Sequence, residues 1–129
     1  MSHPIEKLAG LRILVAEDEM LILLDIEAML DEAGCEIVGP VASVDAALAT
    51  IRRSDLDGAL LDMSLHGKRI TPVAEELVAR GVPFILCTGY GREPNDEPVI
   101  RDALRLTKPF SADSLRAGMH EAFTTVGGT

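Results

Sequence analysis

Five short apolar runs, each separated from the next by a stretch of helical spacing, constrain this chain more than any other feature. Arg12-Ile13-Leu14-Val15-Ala16, Glu36 to Ala42, Gly58-Ala59-Leu60-Leu61-Asp62, Val82 to Cys87 and Leu104-Arg105-Leu106 are all of strand length, the second the weakest. Between them come amphipathic segments. Leu23, Ile26, Leu30 and Ala33 form one face before a Gly34 stop, and Ala47, Leu48 and Ile51 form another behind a Ser43 N-cap. Thr71-Pro72 caps and opens a helix over Val73 to Arg80 that Gly81 ends, and Ser111 caps a last helix with Leu115, Met119 and Phe123 inside. The fourth crossover is irregular: Arg92 to Pro98 holds two prolines and three acids, which leaves only a short helix over Val99 to Ala103. Such alternation implies a parallel sheet with helices on both faces, because each crossover is right-handed. Five βα units predict an α/β, flavodoxin-like (βα)5 doubly wound sheet of strand order 2-1-3-4-5, with the Gly39-Pro40 strand at an edge. In sheets of this kind ligands bind beyond the carboxyl ends of the strands, at the switch point between strands 1 and 3.

Charge narrows the partners. With 21 acids against 12 Lys and Arg, the net charge of −9 repels phosphate backbones, so no nucleic-acid binding is expected. Cys35 and Cys87 lie in separate apolar segments without CxxC spacing, as small hydrophobes in a reducing compartment do. Met1 to Gly10 shows no export pattern, and the aliphatic run Met20 to Leu24 is far too short for a bilayer, so a cytoplasmic protein without membrane contact is expected. The expected layout is an extension over 1–10, one domain over 11–125 and a frayed tail over 126–129, with no internal repeat. The apolar first turn of the helix from Met20 is either buried or offered to a partner, and burial is the expectation.

Each strand delivers a polar residue to the same sheet edge: Glu17-Asp18 after strand 1, Asp62 at strand 3, Thr88 after strand 4 and Lys108 after strand 5. Singly, each has a plain explanation. The acids favour a helix N-terminus, Asp and Thr end strands, and a lysine before Pro109 suits an exposed turn. Jointly, and in order around one switch point, they describe a site.

These residues resemble the receiver domains of bacterial two-component response regulators. The resemblance runs from Leu11 to about Phe123. It rests on Glu17-Asp18, on Leu60-Leu61-Asp62 with Gly67 closing the loop, on Thr88-Gly89 and on Lys108-Pro109-Phe110. The run Pro83 to Gly91 together with Leu106 to Phe110 is further similar to a receiver subgroup named for its Phe-Ala-Thr-Gly-Tyr-type motif, often free-standing and linked to general stress signalling. Leu86-Cys87 stands here in place of Phe-Ala. The resemblance implies that Asp62 is the phosphoacceptor, with phosphate taken from a histidine kinase or a histidine phosphotransfer protein. It implies Mg²⁺, with Mn²⁺ as a substitute, held directly by Asp18, Asp62 and the Ser64 carbonyl and through water by Glu17; an all-oxygen set suits such hard cations. Lys108 would pair with a phosphoryl oxygen behind a cis Lys108-Pro109 bond, and Thr88 would bond the phosphoryl group and move with it. A monomer or weak homodimer, signalling through an unnamed downstream protein or draining phosphate from a pathway, follows. Since the chain ends just past its fifth helix, no attached output domain is expected.

Three departures matter. His66 replaces the usual proline before Gly67, which loosens the loop. Arg105 holds the position, three before the lysine, where the family places its aromatic switch residue. Tyr90, the only tyrosine, is then the candidate to take over part of that role and to shield the acyl phosphate from water. Other functions fit the same residues less well. An Mg-dependent phosphohydrolase of the haloacid dehalogenase type needs a second aspartate two after its nucleophile, and Ser64 stands there. A flavodoxin-like cofactor binder needs a phosphate-cradling first loop, and Glu17-Asp18-Glu19 repels phosphate. A degenerate receiver that only binds a partner is kept open by Arg105.

Overall fold

A computed structural model describes residues 8–89 and 95–124. In chain order the elements are β1 (Arg12–Ala16), α1 (Met20–Glu32), β2 (Glu36–Val41), α2 (Val44–Arg53), β3 (Gly58–Asp62), β4 (Ser64–Leu65), β5 (Lys68–Arg69), α3 (Thr71–Ala79), β6 (Phe84–Thr88), α4 (Pro98–Arg101), β7 (Leu104–Thr107) and α5 (Ala112–Phe123). The central sheet runs β2-β1-β3-β6-β7, every pairing parallel. Counting only its five strands, this is the expected flavodoxin-like order 2-1-3-4-5.

Two apolar layers cover the sheet. Ile26 and Leu30 of α1 pack with Leu115 and Met119 of α5 against Ile13, Val15 and Leu60 on one face. Ala47 and Ile51 of α2, Val73 and Leu77 of α3 and Ile100 of α4 pack against Leu14, Leu61 and Leu86 on the other. Alternate residues of one strand thus serve opposite cores, which is why the strands read as unbroken apolar runs. Close packing also explains Gly58, where a Cβ would come within 2.7 Å of the Phe123 ring. The weakest run, β2, is an edge strand, and its irregular register with β1 accommodates Gly39-Pro40. Ser43 and Ser111 cap as expected, accepting hydrogen bonds from Ala46 N at 3.1 Å and Ser114 N at 3.0 Å.

Several expectations fail for physical reasons. The first turn of α1 is only half-buried: Ile22 and Leu23 pack against the core, but Met20 and Leu21, with Leu24 just beyond, are 66, 79 and 53 % exposed. That turn starts beyond the end of β1, where no sheet remains to cover it, and its inner face is fully buried only from Ile26 on. Within the described part of the N-terminal extension, Leu8 is fully buried among the α1 and α5 side chains and adds to that core layer. Thr71 does not cap α3. It is the first helical residue, and its hydroxyl instead donates to Glu97 at 2.6 Å. The fourth sheet strand starts at Phe84, after Pro83, which has no N–H to donate and joins β3 only through its carbonyl, accepting from Ala59 N at 3.1 Å. The short helix of the fourth crossover is Pro98–Arg101, with proline in its first turn.

The loop after Asp62 differs most. Far from loose, it is a two-stranded hairpin, β4 against β5, in which Ser64 pairs with Arg69 and Leu65 with Lys68. Its turn residues His66 and Gly67 have φ of +49° and +80°, the paired positive values of a tight hairpin turn. Proline, fixed near −65°, could not take the place of His66.

Candidate functional site

The carboxyl ends of β1, β3, β6 and β7 open into a cleft of about 880 Å³ lined by Asp18, Asp62, Ser64, Thr88 and Lys108, among others. Glu17, the first residue past β1, is held by its backbone: its N–H donates to Val41 O at 3.0 Å across the sheet edge. Its side chain is almost wholly buried, one oxygen accepting from Glu19 N at 3.2 Å and the other from Lys108 Nζ at 3.0 Å. Asp18 accepts from the His66 N–H at 2.8 Å, so the hairpin turn and the acidic loop hold each other in place. Asp62 ends β3, where its Oδ1 accepts from Met63 N at 2.8 Å and Lys108 Nζ at 3.2 Å. Lys108 reaches this point because β7 lies beside β6, with Lys108 N donating to Thr88 O at 2.8 Å; the Lys108-Pro109 peptide is cis. Thr88 itself is buried at the cleft floor.

The electrostatics are one-sided. Glu17, Asp18 and Asp62 each offer a carboxylate oxygen within 4.8 Å of the others, and a single ammonium stands among them. Burial pushes the Glu17 carboxyl above its usual range; the Lys108 hydrogen bond offsets part of this, and the Asp62 charge adds to it. Burial alone would lower the Lys108 ammonium, but the Glu17 hydrogen bond and the Asp62 charge outweigh it, so its pKa lies above the ordinary value. Among the described residues, the cation paired with the buried Glu17 is Lys108, which Asp62 and Glu19 share. Cys87, beneath the cleft, is pushed up to about 12 by burial and is not a nucleophile at neutral pH.

Of the residues singled out in the sequence, Glu17, Asp18, Asp62, Ser64, Thr88 and Lys108 meet at this edge, Ser64 as an exposed hairpin residue. Arg105 does not enter the cleft. It lies in β7 with its side chain buried, donating to Ile100 O at 3.0 Å and facing Asp96 at 3.8 Å. Tyr90 and much of the stretch from Arg92, like the tail, lie outside the described residues. Sequence reasoning passed over Arg69, which lines the cleft from β5 and pairs with Asp96 and Glu97. The signal was there in part: an isolated Lys68-Arg69 pair directly after the loop glycine.

Among the described residues no helix is long and apolar enough to cross a membrane. The chain matches the response regulator receiver domain model over residues 13–120. It is 34 % identical over 110 residues to the transcriptional regulatory protein PdtaR of Mycobacterium tuberculosis, covering 81 % of this chain and 52 % of that protein. It superposes on the response regulator PhyR from Brucella abortus with a TM-score of 0.82 at 28 % identity, over 97 % of this chain and 52 % of the other. The chain therefore spans about half the length of each of these two proteins. The receiver domain of the sensor histidine kinase PA1611 from Pseudomonas aeruginosa, solved with a magnesium ion coordinated in its active-site cleft, superposes with a TM-score of 0.79 at 27 % identity, over 91 % of this chain and all of that one. With the sheet order, the acids at its switch point and these similarities in agreement, the chain belongs to the response regulator receiver domain family.

Proposed function

We propose that the protein is a phosphoacceptor of a two-component or phosphorelay system, with Asp62 as the residue phosphorylated. The observation that carries this is the excess of carboxylate over ammonium around Asp62: three acids and one lysine at the mouth of four strands. An all-oxygen set of this kind fits Mg²⁺, or Mn²⁺ in its place, and neither His nor Cys competes within it. Asp18, Asp62 and the Ser64 carbonyl would hold the ion directly and Glu17 through water. When bound, the cation supplies the positive charge that lets a phosphoryl group approach these acids.

The chain's own residues do the rest. Met63 N–H and Lys108 both engage Oδ1 of Asp62, which leaves Oδ2 as the attacking oxygen. In the transfer, the P–N bond of a phosphohistidine breaks as the P–O bond to Asp62 forms, and the departing imidazole takes up a proton. Lys108, released from Asp62 as that carboxylate becomes an ester-like group, pairs with a phosphoryl oxygen; the Thr88 hydroxyl donates to another. These are positioning and charge-neutralising roles, which is most of what such a transfer needs. The protein promotes only its own phosphorylation and the loss of its own phosphate.

The donor is a histidine kinase or a histidine phosphotransfer protein. The exposed Met20, Leu21 and Leu24 stand at the start of α1, whose Ile22 and Asp25 line the cleft, and give a donor helix an apolar foothold beside Asp62. Treatment with acetyl phosphate and Mg²⁺ tests the proposal by intact mass. The wild type gains one phosphoryl group and Asp62→Asn gains none; equal labelling of both, or labelling of neither, contradicts it.

A further inference from the structure

Arg105 stays out of the cleft and belongs instead to a network of charges beside it. A second charged cluster lies between the cleft and α4. Arg69 of β5 donates from Nη2 to Asp96 at 2.7 Å and from Nε to both oxygens of Glu97, at 3.0 and 3.3 Å. Glu97 also accepts from the Thr71 hydroxyl, and its backbone carbonyl accepts from Ile100 N at 2.9 Å and Arg101 N at 2.8 Å, which fixes the start of α4. Asp96 is buried and faces Arg105, whose guanidinium holds the Ile100 carbonyl inside the same helix. The short helix is therefore gripped at its start through Arg69 and from beneath by Arg105.

Arg69 alone in this cluster also faces the cleft. It pairs with Ser64 in the hairpin that follows Asp62, and its side chain, 42 % exposed, lines the same cavity as Asp62, Thr88 and Lys108. Phosphorylation would change an acid carrying one negative charge into a group carrying about two, with several strong acceptor oxygens. A guanidinium matches phosphate in a two-pronged geometry as well as it matches a carboxylate. Two acceptor sets then compete for one fork.

We propose that Arg69 is the coupling residue of this receiver: on phosphorylation its guanidinium leaves Asp96 and Glu97 for the phosphoryl group on Asp62, and the grip on α4 is released. The inference rests on Asp62 being the phosphoacceptor. Three features agree with it. The arginine belongs to the hairpin that directly follows Asp62. Both its present partners belong to the start of α4. Arg105, in the position of the missing aromatic residue, braces the same helix from the other side.

The test uses beryllium fluoride with Mg²⁺ as the phosphoryl mimic and backbone amide shifts as the readout, on wild type, Arg69→Gln and Asp62→Asn. Melting curves confirm that each variant is folded. In the wild type, the Met63 and Thr88 amides report the site and those of Ile100 to Ala103 report the helix. Arg69→Gln is expected to keep an Asp62-dependent response at Met63 and Thr88, reached at a severalfold higher beryllium fluoride concentration because one contact to the mimic is lost. Its α4 amides are expected to start near the wild type's mimic-bound positions and to move less than half as far on addition. An α4 response in Arg69→Gln equal to that of the wild type overturns the coupling and leaves the phosphoacceptor reading intact. A wild type that shows no Asp62-dependent response at Met63 and Thr88 overturns both.

Discussion

Two charged clusters lie side by side at the active edge of this domain, and they are balanced in opposite ways. Around Asp62, the carboxylates of Glu17, Glu19 and Asp62 share the Lys108 ammonium with Asp18 close by, and the buried Glu17 is pushed above its usual range. Around Asp96, two carboxylates meet two guanidinium groups, and Glu97 is held below its usual range, first by the Thr71 hydroxyl and then by Arg69. The first cluster carries more negative than positive charge, with one of its acids buried. The second is balanced and acts as a brace.

The largest expected difference is functional. Asp62→Asn abolishes phosphoryl uptake from acetyl phosphate, whereas Asp96→Asn leaves it in place, and intact mass distinguishes the two. Stability should respond in the reverse sense. Asp96→Ala leaves the buried Arg105 facing no carboxylate at that position and is expected to cost about 3 kcal/mol in urea unfolding, the usual scale for breaking a buried ion pair. Glu17→Gln, by contrast, is expected to raise the melting temperature of the metal-free protein by about 4 °C, roughly 1 kcal/mol for a domain of this size, because it removes a buried charge from a crowded site. Millimolar Mg²⁺ raises the melting temperature of the wild type and does so less in that variant.

A smaller effect has a definite sign. Glu97 has a lowered pKa in the fold, so its contribution is present above the ordinary value of 4.5 and lost as pH falls through the folded value. The difference in melting temperature between wild type and Glu97→Gln should therefore be seen at pH 7 and close as the solution is acidified below 4.5. A gap that widens on acidification would contradict the brace. The smallest effect belongs to the exposed pair Arg12–Glu36 on the far side of the domain, where Glu36→Ala should change stability by no more than about 0.5 kcal/mol.

The two clusters also differ in how far the sequence reveals them. Glu17, Asp18, Asp62, Thr88 and Lys108 are legible because the sheet topology brings the exits of successive strands to one edge. Once five strands are recognised, their terminal polar residues are neighbours by geometry. Arg69, Asp96, Glu97 and Arg105 come from a hairpin, a loop and a mid-strand position, and no period in the sequence links them. The hairpin itself was hidden, since His66-Gly67 is not one of the Asn-Gly or Asp-Gly pairs that mark a two-residue hairpin turn. Thr71 misled in the same way: its position before Pro72 suits a cap, but the Glu97 carboxylate competes for its hydroxyl and wins. The half-exposed first turn of α1 could not be judged from composition, because burial there depends on where the sheet stops and not on how apolar the turn is.

On the function proposed, the unbalanced cluster serves to place a phosphoryl group on Asp62. Borohydride reduction after phosphorylation with acetyl phosphate and Mg²⁺, followed by peptide mapping, tests it most directly, since reduction converts an aspartyl phosphate to homoserine at the residue that carried it. Homoserine at position 62, absent when Mg²⁺ is chelated, is the predicted result. Homoserine at another position, or none in the presence of Mg²⁺, would contradict it.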